Sequence, residues 1–424
     1  MRPRLKPEKP ADPRDWQHES IGWGIVAGEP AGMSPKQLAD GDDLPEPIRQ
    51  LRQDRGNPPL LRYREGWNKR FQLVRNYASG IDLTIGQSPA GVGPESIPRY
   101  LLICGGPNEV PWEMQFLLNA HYSVGRLHLA GTELENYVTA LRSGWKESDA
   151  QVKRALVWAV DQGGSDITAL MRDVVAKTVY EKLSGDGDLK SGTQFLDGPG
   201  NATAAKLAAA LAESKPGLVV TTSHGQTFPL DNLEKLGEGL GFLVDQDYTS
   251  AGPELLMGAW APDGAIWYAH ACCSAGSLEH TQFNGLTEAD SGVDRVLTGV
   301  AKLGSRVAPL PTALLGGKKP LRAFIGHVEP TFDWTLQNPD TNQSLTDSLQ
   351  QALYTELYQP SPVGYAFRRW YDGLASLFAS YDQNQKEYAR GGNTRDAMLK
   401  DSLCARDRQS SVILGDPTVA LPGL

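Results

Sequence analysis

Val219-Val220-Thr221-Thr222-Ser223-His224-Gly225 and Ile266-Trp267-Tyr268-Ala269-His270-Ala271-Cys272-Cys273-Ser274 are the stretches that decide how this chain is read. Each is an apolar, β-branched or aromatic run that ends abruptly in a reactive side chain. Such runs predict buried parallel strands, and ligands of open α/β sheets bind beyond the carboxyl ends of those strands. Strands ending in His-Gly and Ala-Cys would therefore present a base and a thiol at one rim of one sheet. A cysteine nucleophile needs that pairing, because the thiolate attacks and a nearby imidazole raises its reactive fraction. Side chains alternate along a strand, so only one of Cys272 and Cys273 can face His224.

Working outward, strands and helices alternate from Tyr100 onward, the pattern of a mostly parallel sheet covered on both faces. The runs Tyr100–Cys104, Ala155–Val160, Leu218–Thr222, Ala265–His270, Leu321–Ile325 and Val412–Leu414 predict six strands. Helices are expected over Glu133–Leu141, with Thr132 and Glu135 at capping-box spacing, and over Ile167–Leu183. Two more are expected over the alanine-rich Thr203–Ala212 and the aromatic Tyr365–Tyr381. Residues 1–95 are rich in Pro, Gly, Asp and Arg and predict an N-terminal extension or small subdomain, with a short strand at Trp23–Ala27. The basic Arg2-Pro3-Arg4-Leu5-Lys6 reads as a solvated tail. The stretch from about Leu278 to Pro320 predicts a long connection, although Val293, Val296, Val300 and Leu303 have helical spacing.

These residues together resemble the caspase-like (clan CD) cysteine proteases, nearest to gingipain-like and CHAT-related bacterial proteins. The resemblance rests first on the ordered pair His224-Gly225 and Ala271-Cys272. The run Tyr100–Pro111 is similar to the first strand of gingipain-like proteases, Ser123–Leu127 to the segment after it, and Gly415-Asp416-Pro417 to the close of such domains. Ala275-Gly276 and Phe324–Glu329 resemble the bacterial members. The resemblance implies a three-layer α/β fold with a mostly parallel six-stranded central sheet, spanning residues 96–424. It implies a cysteine endopeptidase in which Cys272 attacks, His224 is the base, and the N–H groups of Gly225 and Cys272 hold the oxyanion. It also implies peptide or protein substrates, and a site of activating cleavage within 278–320 for an upstream protease. On this reading the protein is a regulated bacterial effector in signalling or defence.

Composition excludes other classes. A net charge of −9 over 424 residues opposes nucleic-acid binding, which wants a concentrated basic face. No apolar run is long enough for a membrane span, no signal-peptide pattern opens the chain, and four cysteines make no disulfide framework. A cytoplasmic protein is therefore expected. Neither a metal nor a cofactor is expected. The adjacent cysteines lack zinc-site spacing, Ser274-Ala275-Gly276 is no serine elbow, and Gly105-Gly106 lacks the dinucleotide fingerprint. His327 is the second choice of base, and Cys104 and Cys404 are read as core.

For specificity, Asp161, Asp166, Asp245 and Asp247 follow apolar stretches and are candidates to line a pocket for Arg or Lys. Arg322 is the less favoured alternative, for an acidic residue. His270, two positions before Cys272, departs from the acidic residue found there in clostripain and legumain. A catalytically silent scaffold on the same fold and an acyltransferase using the same dyad are the competing functions.

Overall fold

The computed structural model describes residues 10–66, 72–338 and 340–423, and the basic Arg2–Lys6 stretch lies outside them. The first six strands are β1 (Trp23–Gly28), β2 (Leu60–Tyr63), β3 (Leu73–Asn76), β4 (Ile81–Thr84), β5 (Tyr100–Cys104) and β6 (Ser123–Leu127). They are followed by β7 (Gln151–Ala159), β8 (Thr193–Asp197) and β9 (Pro216–Thr222). A short ladder comes next, made of β10 (His224–Gly225), β11 (Leu243–Val244) and β12 (Ser250–Ala251). Strand β13 (Ile266–His270) precedes the small pair β14 (Gly276–Ser277) and β15 (Arg306–Val307), and β16 (Ala323–His327) and β17 (Ser411–Gly415) complete the set.

Among the described residues one sheet holds twelve strands, in the order β4-β3-β2-β1-β5-β6-β17-β16-β13-β9-β7-β8. Strands β2, β1, β5, β6 and β17 are parallel to one another. So are β16, β13, β9, β7 and β8. The join between β17 and β16 is antiparallel. Apart from the antiparallel edge strands β3 and β4, the sheet is thus two parallel blocks running in opposite senses. Strands β5, β9, β13, β16 and β17 are buried at every position, which requires cover on both faces. Trp158, Trp267 and Phe324 are among the largest fully buried side chains, each worth about 1.5–3 kcal/mol of transfer free energy.

The expected six-stranded sheet is corrected to twelve. Strands β9, β13, β16 and β17 lie where the apolar runs place them, and β7 covers Ala155–Ala159. Tyr100–Cys104 is likewise a strand over its whole predicted length, in the block with β17, between β1 and β6. Residues before 95 supply β1 to β4, and β1 pairs directly with β5. Strands β2, β3 and β4 are four residues each and carry Arg62, Arg75, Asn76 and Asp82, too short and polar for periodicity to reveal. Arg62 is fully buried there because Asp43 and the carbonyls of Leu38 and Gly28 take its guanidinium protons. The edge strand β8 is half-exposed throughout, so it too lacks an apolar signature.

The capping box at Thr132 does not form, because the helix starts two residues earlier than expected, at Gly131, after an uncapped Ala130. Thr203 does cap its helix, accepting from Lys206 N at 3.3 Å. Within the connection 278–320, helices run over Gly292–Ala301 and Pro309–Gly316, with β15 between them. Leu297 and Val300 are buried.

Candidate active site

Strands β9 and β13 are parallel neighbours, with Thr222 paired to His270, and Ser223 N donates to His270 O at 3.3 Å just beyond. His224 and Cys272 leave these strands at corresponding positions, on the same edge of the sheet. Two local devices then aim them. On the first strand, His224 and Gly225 turn into β10 and pair with Val244 and Leu243. On the second, Cys273 adopts φ +54°, a left-handed conformation that non-glycine residues seldom take. The turn continues with Gly276 N donating to Cys273 O at 3.1 Å. It sends Cys273 back into a small core with Leu236, Leu240 and Val300 and leaves Cys272 partly exposed.

Gly225 lies directly against Cys272. A Cβ there would meet the Cys272 carbonyl oxygen at 1.9 Å and its nitrogen at 2.9 Å, so no other residue fits without moving the chain. The backbones of Thr331, Gly225 and Cys272, that of Thr331 most, favour the thiolate of Cys272. Burial outweighs them and holds the thiol above its ordinary range. In this structure Cys272 Sγ donates to the carbonyl of Thr331 at 3.6 Å.

The His224 ring is held by Asp166, whose two oxygens lie 3.1 and 3.0 Å from Nε2. Both side chains are about one-third exposed, at 36% and 32%. Asp166 also caps the helix Ile167–Met171, with Oδ1 accepting from Thr168 N at 2.9 Å and Thr168 Oγ1 at 2.5 Å. Partial burial opposes its ionisation, but the bonds from Thr168 and His224 prevail and keep the carboxyl below its ordinary value. An ionised Asp166 can only accept, so Nε2 carries the proton and a neutral ring keeps Nδ1 as the acceptor. Among the described residues, ring and thiol each bond a third group rather than one another.

Of the four acidic candidates, Asp166 is brought to His224, a placement its position after an apolar stretch does not disclose. Asp161 lies at the end of β7 on the same edge, its N–H donating to Gln246 Oε1 at 2.9 Å and its carboxylate accepting from Gly163 N at 2.9 Å. Asp245 is buried, and its oxygens take the N–H groups of Ala204, Asp247 and Thr249. It builds the loop and has no free face. Asp247 is exposed on that loop. Arg322 lies at the opposite end of its strand, stacked on Trp145 and donating to Gly264 O.

The side chains of His270, His327, Cys104 and Cys404 are buried. His270 and His327 are fully buried with ring centroids 4.8 Å apart. Burial lowers both, His270 to about 4, so both are neutral. Ser274 Oγ is buried, accepting from His327 N and donating to Ala271 O. Cys104 and Cys404 are buried free thiols. One group escaped the sequence reading altogether. Asp407 is fully buried and accepts from Thr331 Oγ1, Phe332 N and Thr335 Oγ1 at 2.8, 3.4 and 2.5 Å. It fixes the segment whose carbonyl meets the thiol. Its place in a helix far along the chain gives no sequence signal of that contact.

No protein-family model matches this chain, and no curated protein does. A solved structure described as "Structure of Protease" is similar over 95% of this chain and 79% of its own, at 10% identity and a TM-score of 0.48. A likeness at that level fixes neither a family nor an activity. No helix among the described residues is long and apolar enough to cross a membrane.

Proposed function

We propose that this protein is a cysteine endopeptidase with Cys272 as nucleophile, His224 as base and Asp166 as the residue that positions the imidazole. The observation that carries the reading is the contact of Gly225 with Cys272, which sets the residue after His224 against the thiol's own backbone at the carboxyl edge of adjacent strands. In the proposed reaction the Cys272 proton passes to His224 Nδ1 and the sulfur attacks the substrate carbonyl. The oxyanion is held by the N–H groups of Gly225 and Cys272. The tetrahedral species collapses, the C–N bond breaks, and the imidazolium returns its proton to the leaving amine. Water, deprotonated by His224, then hydrolyses the thioester and frees the thiol.

On the same reading the thiol–Thr331 bond belongs to a resting state, and substrate must displace it. Asp161 and Asp247, on the same edge with open carboxylate faces, support a preference for Arg or Lys before the scissile bond. An activating cut would fall in 279–291, ahead of the helix Gly292–Ala301. A library of peptides carrying every residue before the scissile bond, assayed with the parent and Cys272→Ala, tests this. Cleavage by the parent alone supports the assignment. Equal cleavage by the variant refutes it. An intact fold with no cleavage by either favours the scaffold reading.

A further inference from the structure

The two-block sheet has a second carboxyl edge, and it carries a cleft that the proposed chemistry does not use. Strand β1 lies between β2 and β5, so the chain crosses from β1 to opposite sides of the block, which makes the β1/β5 boundary a switch point. Open α/β sheets bind ligands in the crevice at such points. A cavity of about 1010 Å³ opens there, walled by the segments that leave β1, β2, β5 and β6. That is the size range of small-molecule sites. Because β17 runs antiparallel to β16, this edge faces away from His224 and Cys272.

The lining defines the occupant. Leu44, Ile48 and Leu134 supply an apolar floor, and among the described residues the walls carry five carboxylates and no Lys or Arg. Two of these have internal partners, Asp43 on Arg62 and Glu29 on Arg64. Glu65, Glu109 and Glu113 form no ion pair among the described residues, and all three are exposed. An anion is disfavoured by the glycine loop itself. Where a phosphate would meet backbone N–H groups, Glu109 Oε2 already accepts from Gly106 N at 3.0 Å, and a Cβ at Gly105 would strike that oxygen at 2.0 Å. Arg126, buried beneath, donates to Gln115 Oε1 and to the carbonyls of Gly105 and Val110. A hard metal ion is disfavoured too, since no group of three ligating side chains converges among the described residues. Burial keeps His128 below its ordinary range, so its ring adds no charge near neutral pH.

We propose that this cleft is a second ligand site, for an organic cation that combines an ammonium or guanidinium head with an apolar stem. The head sits among Glu65, Glu109 and Glu113 and the stem lies on Leu44 and Leu134. Either a free amine or a basic side chain of a partner peptide has this chemistry. Calorimetry on the full chain with agmatine, spermidine and a capped Gly-Arg-Gly peptide separates the sources. Saturable binding of the amines alone assigns a small-molecule site, and tighter binding of the peptide that is weakened by the glutamate variants below assigns a partner segment, since peptide bound at the proposed catalytic edge would not respond to them. Either affinity should fall about tenfold or more in Glu109→Gln/Glu113→Gln, as loss of charge-assisted bonds requires. It should be unchanged in Cys272→Ala, so this test stands apart from the proposed catalysis. The exposed Glu113→Gln and Glu65→Gln single variants guard against misfolding and should each weaken binding. No binding of any probe at about 10 mM, or affinity indifferent to these carboxylates, overturns the proposal.

Discussion

Asp407 sits fully buried with three hydrogen-bond donors and no ion pair among the described residues. Burial pushes its carboxyl up to about 6, even though the bonds from Thr335 and Thr331 resist the rise. An unfolded aspartate titrates near about 3.9, so between those values the folded state binds more protons. Stability therefore falls as pH rises through that window, by about 2–3 kcal/mol from this group. Asp407→Asn should remove that slope while keeping an acceptor for the threonines. Urea unfolding at about pH 4.5 and about pH 7 checks it, and an unchanged slope in the variant contradicts it. At His224, Asp166→Asn keeps a good helix cap but loses control of the tautomer. Activity should drop by about 10²-fold or more with stability within about 1 kcal/mol. Gly225→Ala drives a methyl into the Cys272 carbonyl. It should abolish activity and lower the melting temperature, which a thermal scan and peptide assay read together.

At the scale of elements, legibility followed burial. Strands β9 and β13 are apolar because both faces are covered, so their ends, and with them His224 and Cys272, could be read directly from sequence. Alternation allows only one of the two cysteines to face His224 and the Ala-Cys resemblance picks Cys272; it is the turn at Cys273, beyond the strand, that packs that residue inward. Strands β2 to β4 and β8 could not be read, since tertiary partners such as Asp43 for Arg62 make polar residues acceptable inside or beside a sheet. Asp166 was found as a residue but not for its contact, because nothing local connects a helix cap to a histidine on another strand. The connection after the cysteine strand contains two packed helices that its glycines and prolines obscure. Limited proteolysis of the folded chain should accordingly cut within 279–291 before it cuts within 292–316. Mass mapping of the first fragments decides the order, and early cuts inside the helix Gly292–Ala301 contradict the packing.

At the scale of the molecule, the antiparallel join of β17 and β16 lets one sheet present two carboxyl edges, each with its own cleft or constellation. The proposed chemistry depends on one of them alone. The most direct test is covalent labelling with a peptide acyloxymethyl ketone, followed by mass mapping of the modified residue. The expected result is one adduct on Cys272, lost in Cys272→Ala, slowed about 10²-fold or more in His224→Ala, and retained in Cys273→Ala. An adduct on Cys273, or labelling of Cys272 at the same rate without His224, would contradict the dyad.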